Sequence, residues 1–204
     1  MSTETTKVTL IQSMLQLVKS RRFSKITVND ICELSHISRK TFYRHYSDKY
    51  DLLNDVFLEC FFSKIDRNSD DDFWDIFSQI CVHVYAEKDF FYHALEVKEQ
   101  NGFWDGVRNL LTPYLMREAK SSAIYDATKE FFVRTEIDRL FLMIEDWVKK
   151  ETPQTAKEFS EYIRVCYYIY GVWHAQLASK QERAVFTSEI YEDIDKYLAK
   201  NNIM

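Results

Sequence analysis

The 204-residue sequence predicts an all-α fold, and three observations carry that expectation. It holds only 3 Gly and 2 Pro, about a fifth of ordinary usage. Its apolar residues recur at spacings of three and four, the period of a helix rather than of a strand. The breaks between those stretches are built from Ser, Asn, Asp and His instead of tight glycine turns. No Gly or Pro occurs before Gly102. Sandwiches and barrels draw on both types for their many turns, so a β-rich fold is excluded. Gly-rich phosphate loops and dinucleotide fingerprints are excluded too, because their glycines do not exist here. About nine helices are expected.

The first helix is predicted over 8–22. Val8, Ile11, Leu15 and Val18 share one face, with Met14 and Leu17 alongside. Lys19, Arg21 and Arg22 close it, cations at the end the helix dipole favours. A short second helix starts at Thr27, a good N-cap, with Asp30 at the capping-box position. Val28, Ile31 and Cys32 supply its buried face, and Ser35-His36 breaks it. Ser38 caps a third helix that runs from Arg39 to Tyr46, in which Phe42 and Tyr46 are the buried residues. A fourth begins near Ser47-Asp48, with Leu53, Val56, Phe57, Cys60 and Phe61 on its apolar face. Ser69-Asp70-Asp71-Asp72 is a polar break. Further helices are expected at roughly 73–86, 89–100, 103–119, 126–150, 156–179 and 187–200, with Pro153 between the two long ones.

Two short helices separated by about three residues, within 27–53, form a helix-turn-helix, whose second helix lies in a major groove. The polar set on that second helix is Arg39, Lys40, Thr41, Tyr43, Arg44 and His45. Arg and Lys can pair with guanine O6 and N7, and a Thr methyl can meet a thymine methyl. The Tyr43 hydroxyl suits a phosphate. Lys49 stands in the next helix's first turn, where a phosphate would approach an N-terminus. Taken singly, each of these cations is more often a plain solvated residue; the ordered set is what points to DNA.

Residues 8–61 resemble the DNA-binding head of TetR-family transcriptional regulators. The resemblance rests on Ile26-Thr27-Val28-x-Asp30-Ile31, Ile37-Ser38-Arg39-x-Thr41-Phe42-Tyr43-Arg44-His45-Tyr46 and Asp48-Lys49-x-x-Leu52-Leu53. It covers about a quarter of the chain. It implies that Thr27 touches a phosphate and that Ser38, which opens the recognition helix, also belongs to the DNA-binding set. Arg39, Lys40 and Thr41 would face bases or adjacent phosphates, Tyr43 and His45 would contact backbone or bases, and Lys49 would hold a phosphate. Phe42 would pin the helix from the core. The family usually has Gly where this chain has His36, a position that favours the left-handed conformation. Many members also have Gly where this chain has Lys40, which adds a positive contact here.

The implied organisation is a helix-turn-helix domain over 1–50, with the connecting helix starting in 48–67, and an effector-binding and dimerisation domain over 51–204. Within 156–179, Phe159, Ile163, Cys166, Tyr170, Trp173 and Leu177 form a heptad seam. Tyr162, Val165, Ile169 and Val172 make a second apolar stripe, so one face is left for a partner. Gly171 allows a close helix crossing there. The last pattern is Phe186, Ile190, Ile194, Tyr197 and Leu198. Family members pair their last two long helices as a four-helix bundle, so the homodimer interface is placed on Phe159, Ile163, Tyr170, Gly171, Trp173, Leu177, Ile190 and Ile194. Two-sided burial within one subunit is the alternative. A pocket for an apolar or aromatic effector is placed among the aromatics of 73–150, on Phe77, Tyr85, Phe91, Trp104, Phe132 and Phe141. Aromatics at helical spacing are more commonly core.

Residues 1–50 hold 9 Lys or Arg against 4 Asp or Glu, while residues 51–204 hold 18 against 28. A basic head seeks a polyanion and an acidic body avoids one. Cys32, Cys60, Cys81 and Cys166 are far apart and read as reduced thiols. No signal-peptide core and no apolar run of ~20 residues is visible, so a cytoplasmic protein without a membrane span is expected. His83, His93 and Cys81 match no zinc spacing, and no catalytic arrangement, cofactor or metal is expected. The resulting expectation is a homodimeric repressor on near-palindromic double-stranded DNA, released by a small ligand. An activator or partner-dependent regulator of the same fold is the alternative. An enzyme or lipid-binding protein with a vestigial head is disfavoured by the basic face of 38–49.

Overall fold

The computed structural model describes residues 3–68, 70–96, 102–121, 129–177 and 196, with backbone alone over 119–121 and 171–177. The described residues form nine α-helices and two 3₁₀ turns, with no strand. The all-α expectation holds.

In chain order the helices are α1 (Thr3–Ser20), α2 (Val28–Ser35), α3 (Arg39–His45), α4 (Lys49–Cys60), α5 (Phe73–Ala86), α6 (Lys88–Ala94), α7 (Gly102–Ser121), α8 (Lys129–Lys149) and α9 (Ala156–Leu177). The 3₁₀ turns are Phe23–Lys25 and Phe62–Lys64. α6 is shorter than its apolar pattern suggested, ending at Ala94 with Leu95 as cap. Of the helix expected at 187–200, Lys196 alone is among the described residues, in helical conformation.

The chain divides into two compact units, one up to Ala156 and one from Lys157 onward. In the first, α1 packs on α2, α4 and α6, α4 packs on α7, and α7 packs on α8. The buried stripe of α1 is Leu10, Ile11, Met14 and Val18. Val8, expected inside, is half exposed, because the stripe that meets α4 and α6 runs through Leu10 and Met14. Lys19 pairs with Glu87 and Arg22 with Glu96, tying the end of α1 to the ends of α6.

The core of this unit is a cluster of phenylalanines. Phe57 and Phe61 of α4's C-terminal end meet Phe90 and Phe91 of α6 and Phe103 of α7, with ring centroids 4.7–6.3 Å apart. Tilted and edge-on contacts at these distances suit the ring quadrupoles, and each buried ring removes a large apolar area from water. α7 comes close because Gly102 and Gly106 lack side chains. A Cβ on Gly106 would lie 2.2 Å from the Phe62 ring, and one on Gly102 would lie 2.4 Å from Asn54 Oδ1. The Gly102 N–H donates to that same Asn54 oxygen at 2.9 Å.

In the second unit, α9 carries Phe159, Ser160 and Ile163 as buried residues, with Tyr162, Tyr168, Ile169 and Tyr170 exposed. Among the described residues no helix is long and apolar enough to cross a membrane. The four cysteines are free thiols.

Candidate nucleic-acid interface

Three short segments build the site, and hydrogen bonds local to each fix them. Thr27 caps α2 with both halves of a capping box. Its backbone N–H and its hydroxyl donate to Asp30 Oδ2 at 2.7 and 2.6 Å, and the Asp30 N–H donates back to Thr27 Oγ1 at 3.2 Å. Arg21 pairs with the other Asp30 oxygen at 3.0 Å. The Thr27 hydroxyl, its backbone N–H and then Arg21 hold the Asp30 carboxyl down to about 2, since all three favour the charged form.

His36 ends α2 in the left-handed region, at φ 54° and ψ 33°, and is the one non-glycine with positive φ among the described residues. Ile37 N–H donates to Cys32 C=O at 3.1 Å and His36 N–H to Glu33 C=O at 3.3 Å. Those two bonds, with Ile37 buried behind them, make a Schellman end. The turn that the sequence places on Ser35-His36 is therefore closed by a residue that tolerates the strain moderately well.

Ser38 then caps α3. Its Oγ accepts from Thr41 N–H at 3.1 Å and lies 3.0 Å from Thr41 Oγ1, so both hydroxyls are engaged in the cap. Phe42 is fully buried and Tyr46 nearly so. The Tyr46 hydroxyl donates to Asp55 Oδ2 of α4 at 2.9 Å. With these two rings inside, Arg39, Lys40, Tyr43 and Arg44 are exposed together. Arg39 donates to the Tyr43 hydroxyl at 3.4 Å and its guanidinium lies 5.9 Å from that ring. The hydroxyl accepts there, which leaves its own O–H free to donate outward. α3 contains no acidic residue.

The remaining residues singled out from the sequence are placed differently. Thr41 and His45 are half-buried, and His45 Nε2 is buried without a hydrogen bond. Lys49, also half-buried, turns its ammonium inward. Nζ donates to Phe23 C=O at 3.1 Å and Ile26 C=O at 2.8 Å, and lies 4.6 and 5.6 Å from the rings of Phe23 and Tyr50. Burial pushes this ammonium below the ordinary lysine range, against the pull of Asp30. The carbonyl seat was invisible in the sequence, because the 3₁₀ turn at Phe23–Lys25 creates it.

The six aromatics expected around a pocket do not share one space. Phe77 and Phe91 are fully buried, Phe77 stacked on Phe73 and Phe91 inside the phenylalanine cluster. Trp104 stacks on Phe141 at 4.3 Å. Tyr85 and Phe132 are exposed, and Tyr85 stacks on Trp147 beside a recess shared with Val84, Lys88, Val148 and Pro153. Of the residues expected at a dimer interface, Phe159 and Ile163 are buried and Tyr170 is exposed. The side chains of Trp173 and Leu177, and all of Ile190 and Ile194, lie outside the described residues, and of Gly171 only the helical backbone is described. Among the described residues no three His, Cys, Asp or Glu gather as a metal site.

Comparison with known proteins reaches both ends of this arrangement. Residues 11–56 match the family model of bacterial regulatory proteins of the tetR family. Residues 71–167 match the model of a transcriptional regulator C-terminal region, TetR_C_8. The chain is 27% identical over 134 residues to the HTH-type dhaKLM operon transcriptional activator DhaS of Lactococcus lactis subsp. lactis (strain IL1403), spanning 63% of this chain and 72% of that protein. A TetR transcriptional regulator from Streptococcus agalactiae 2603V has a similar fold, with TM-score 0.60 at 20% identity over 78% of this chain and 91% of the other. A tetR-family transcriptional regulator from Streptomyces coelicolor gives TM-score 0.61 at 14% identity over 95% and 99%.

Proposed function

This chain belongs to the TetR family of bacterial transcriptional regulators, and from that premise we propose that it binds double-stranded DNA as a cytoplasmic homodimer, inserting α3 into the major groove. One observation carries the reading: Arg39, Lys40, Tyr43 and Arg44 stand exposed together on a capped helix without an acidic residue. Residues 1–50, with the connecting helix that starts in 48–67, do the binding; residues 51–204 join two subunits. The exposed Tyr162 and Ile169, both on the second apolar stripe of α9, favour a subunit contact there; of the heptad seam, Tyr170 is exposed as well, while Phe159 and Ile163 are buried. A dimer offers two α3 helices to successive major-groove faces, so the operator is near-palindromic.

Selection of bound fragments from a random DNA pool, followed by a titration in salt, tests this. A near-palindromic consensus and an affinity that falls steeply with salt are expected. Salt-insensitive or absent DNA affinity sinks it. On the selected duplex, Arg39→Ala and Lys40→Ala should each cost about 1–3 kcal/mol and relax sequence preference. Tyr43→Phe should weaken selected and scrambled duplexes alike. Equal behaviour of all three would refute this sorting of base and phosphate contacts.

The regulatory sense has two readings. In one the protein is a repressor released by an apolar ligand held in 51–204. In the other it is an activator or partner-dependent regulator. The second is favoured by the L. lactis relative, an operon activator by name, and by the scatter of the six aromatics between core and surface. A footprint read with transcription from the adjoining promoter separates them: activation requires more transcript in the protein's presence.

A further inference from the structure

We propose that Asp55 is a positioning residue for the recognition helix: it holds the C-terminal end of α3 through the Tyr46 hydroxyl, is itself held by Lys7 of α1, and by that chain sets how well the protein tells its operator from other DNA. The inference rests on the DNA-binding reading above and concerns what aims α3. The Ser38 cap fixes the N-terminal end of α3, and the buried Phe42 fixes its middle. Its C-terminal end is closed by Tyr46, which is 4% exposed. Filling that space needs only the ring, whereas a buried phenol must also find a partner for its hydroxyl. The partner here is charged: the Tyr46 hydroxyl donates to Asp55 Oδ2 at 2.9 Å.

Asp55 stands in a row of carboxylates. Asp51, Asp55 and Glu59 follow one another at four-residue spacing along α4, and like charges at that spacing repel. Donors from outside α4 offset the repulsion. The N–H and the hydroxyl of Ser47 donate to Asp51 Oδ2 at 2.9 and 3.1 Å. The Lys7 ammonium bridges the other two, 3.1 Å from Asp55 Oδ2 and 3.2 Å from Glu59 Oε1. Tyr46 and Ser47, the link out of α3, are thus both tied to the row, and Lys7 ties the row to α1. One Asp55 oxygen serves Lys7 and Tyr46 together, so the ammonium orients the acceptor that the hydroxyl meets. Burial and then Asp55 push that hydroxyl above the ordinary tyrosine range, which keeps it a donor. Paired hydrogen bonds to base edges demand one angle of α3, while attraction to phosphates is independent of sequence. A loosened end of α3 therefore costs discrimination first.

The test compares wild type with Tyr46→Phe, Asp55→Ala, Lys7→Met, Lys7→Arg and the double variant Tyr46→Phe/Lys7→Met, each in the full chain. Affinity is measured for the selected operator duplex and for a scrambled duplex of equal length across a salt series, beside thermal unfolding. Tyr46→Phe removes one hydroxyl and leaves the ring. It should lower the ratio of operator to scrambled affinity on the order of tenfold, the scale of a hydrogen bond to a charged group, with the slope against log salt unchanged. Asp55→Ala should lower the ratio to the same extent, and Tyr46→Phe carries the reading alone if that variant does not fold. Lys7→Met should lower it about threefold, the scale of a partly exposed ion pair, and Lys7→Arg should keep it. The double variant should fall no further than Tyr46→Phe, because Lys7 acts through that hydroxyl.

Three outcomes overturn the proposal. One is a Tyr46→Phe protein with the wild-type ratio, whatever its unfolding temperature, which would make the hydroxyl merely structural. Another is additive losses in the double variant, which would detach Lys7 from the chain. The third is a Lys7→Met protein whose ratio is unchanged and whose slope falls by about 0.9, the mark of a direct phosphate contact. Wild-type protein without salt-sensitive DNA binding would instead sink the DNA-binding reading itself, a distinguishable result.

Discussion

α3 and the phenylalanine cluster behind it are fixed by opposite means. α3 has seven residues and buries one side chain of its own, Phe42. Isolated helices that short do not persist in water. Its position comes from oriented polar contacts: the Ser38 cap, the Schellman end at His36, the Thr27–Asp30 box and the Tyr46–Asp55 bond. The cluster of Phe57, Phe61, Phe90, Phe91 and Phe103 is held instead by the packing of apolar rings and is fixed by volume. The head should therefore respond to lost hydrogen bonds and to acid, and the cluster to lost atoms.

The largest effect expected from that contrast is in the cluster. Phe57 is fully buried and touches Phe61, Phe90, Phe91 and Phe103. Phe57→Ala should cost about 3–5 kcal/mol, read by urea unfolding; a loss under about 1 kcal/mol would mean the rings repack freely. Next is the box. Thr27→Ala should cost about 1 kcal/mol at neutral pH. The Asp30 carboxyl sits at about 2 against an ordinary 3.8. Its contribution is thus complete above pH 3.8 and is lost as pH falls through about 2. The gap between Thr27→Ala and wild type should narrow over that window, and a constant gap would show that Asp30 is not the partner that matters. The smallest effect is at the turn. His36→Gly removes left-handed strain but adds chain entropy to the unfolded state, for a net gain of about 0.5 kcal/mol with DNA affinity unchanged. A loss of stability would mean the imidazole does something the backbone geometry does not express.

The same contrast explains what could be read from the sequence. The Thr27–Asp30 box, the Ser38 cap and the buried Phe42 and Tyr46 are local, encoded within about four residues, and each was legible; the left-handed His36 was legible through the family resemblance. The face of α1 was not, because whether Val8 or Leu10 lies inside depends on where α4 and α6 pass. Lys49 marks the limit most clearly. Its position after Asp48 suggested an outward cation, yet its partners lie more than 20 residues away. The aromatics of 73–150 were visible as a composition, but their division between core and surface is a tertiary matter. Asp72 and Asp75, inside and just past the acidic stretch read as a break, form a second capping box that starts α5; the Asp-x-x-Asp spacing held that signal.

The Ser38 cap has a consequence in time as well as in energy. A segment that must fold as it binds gives up about 2–5 kcal/mol to ordering. Here the two turns of α3 are already wound, so each trial register along a duplex costs a translation and a rotation but no refolding. A rigid probe of that kind can reject a wrong site as quickly as it meets one, which suits a protein that must sample a long polymer before it stops.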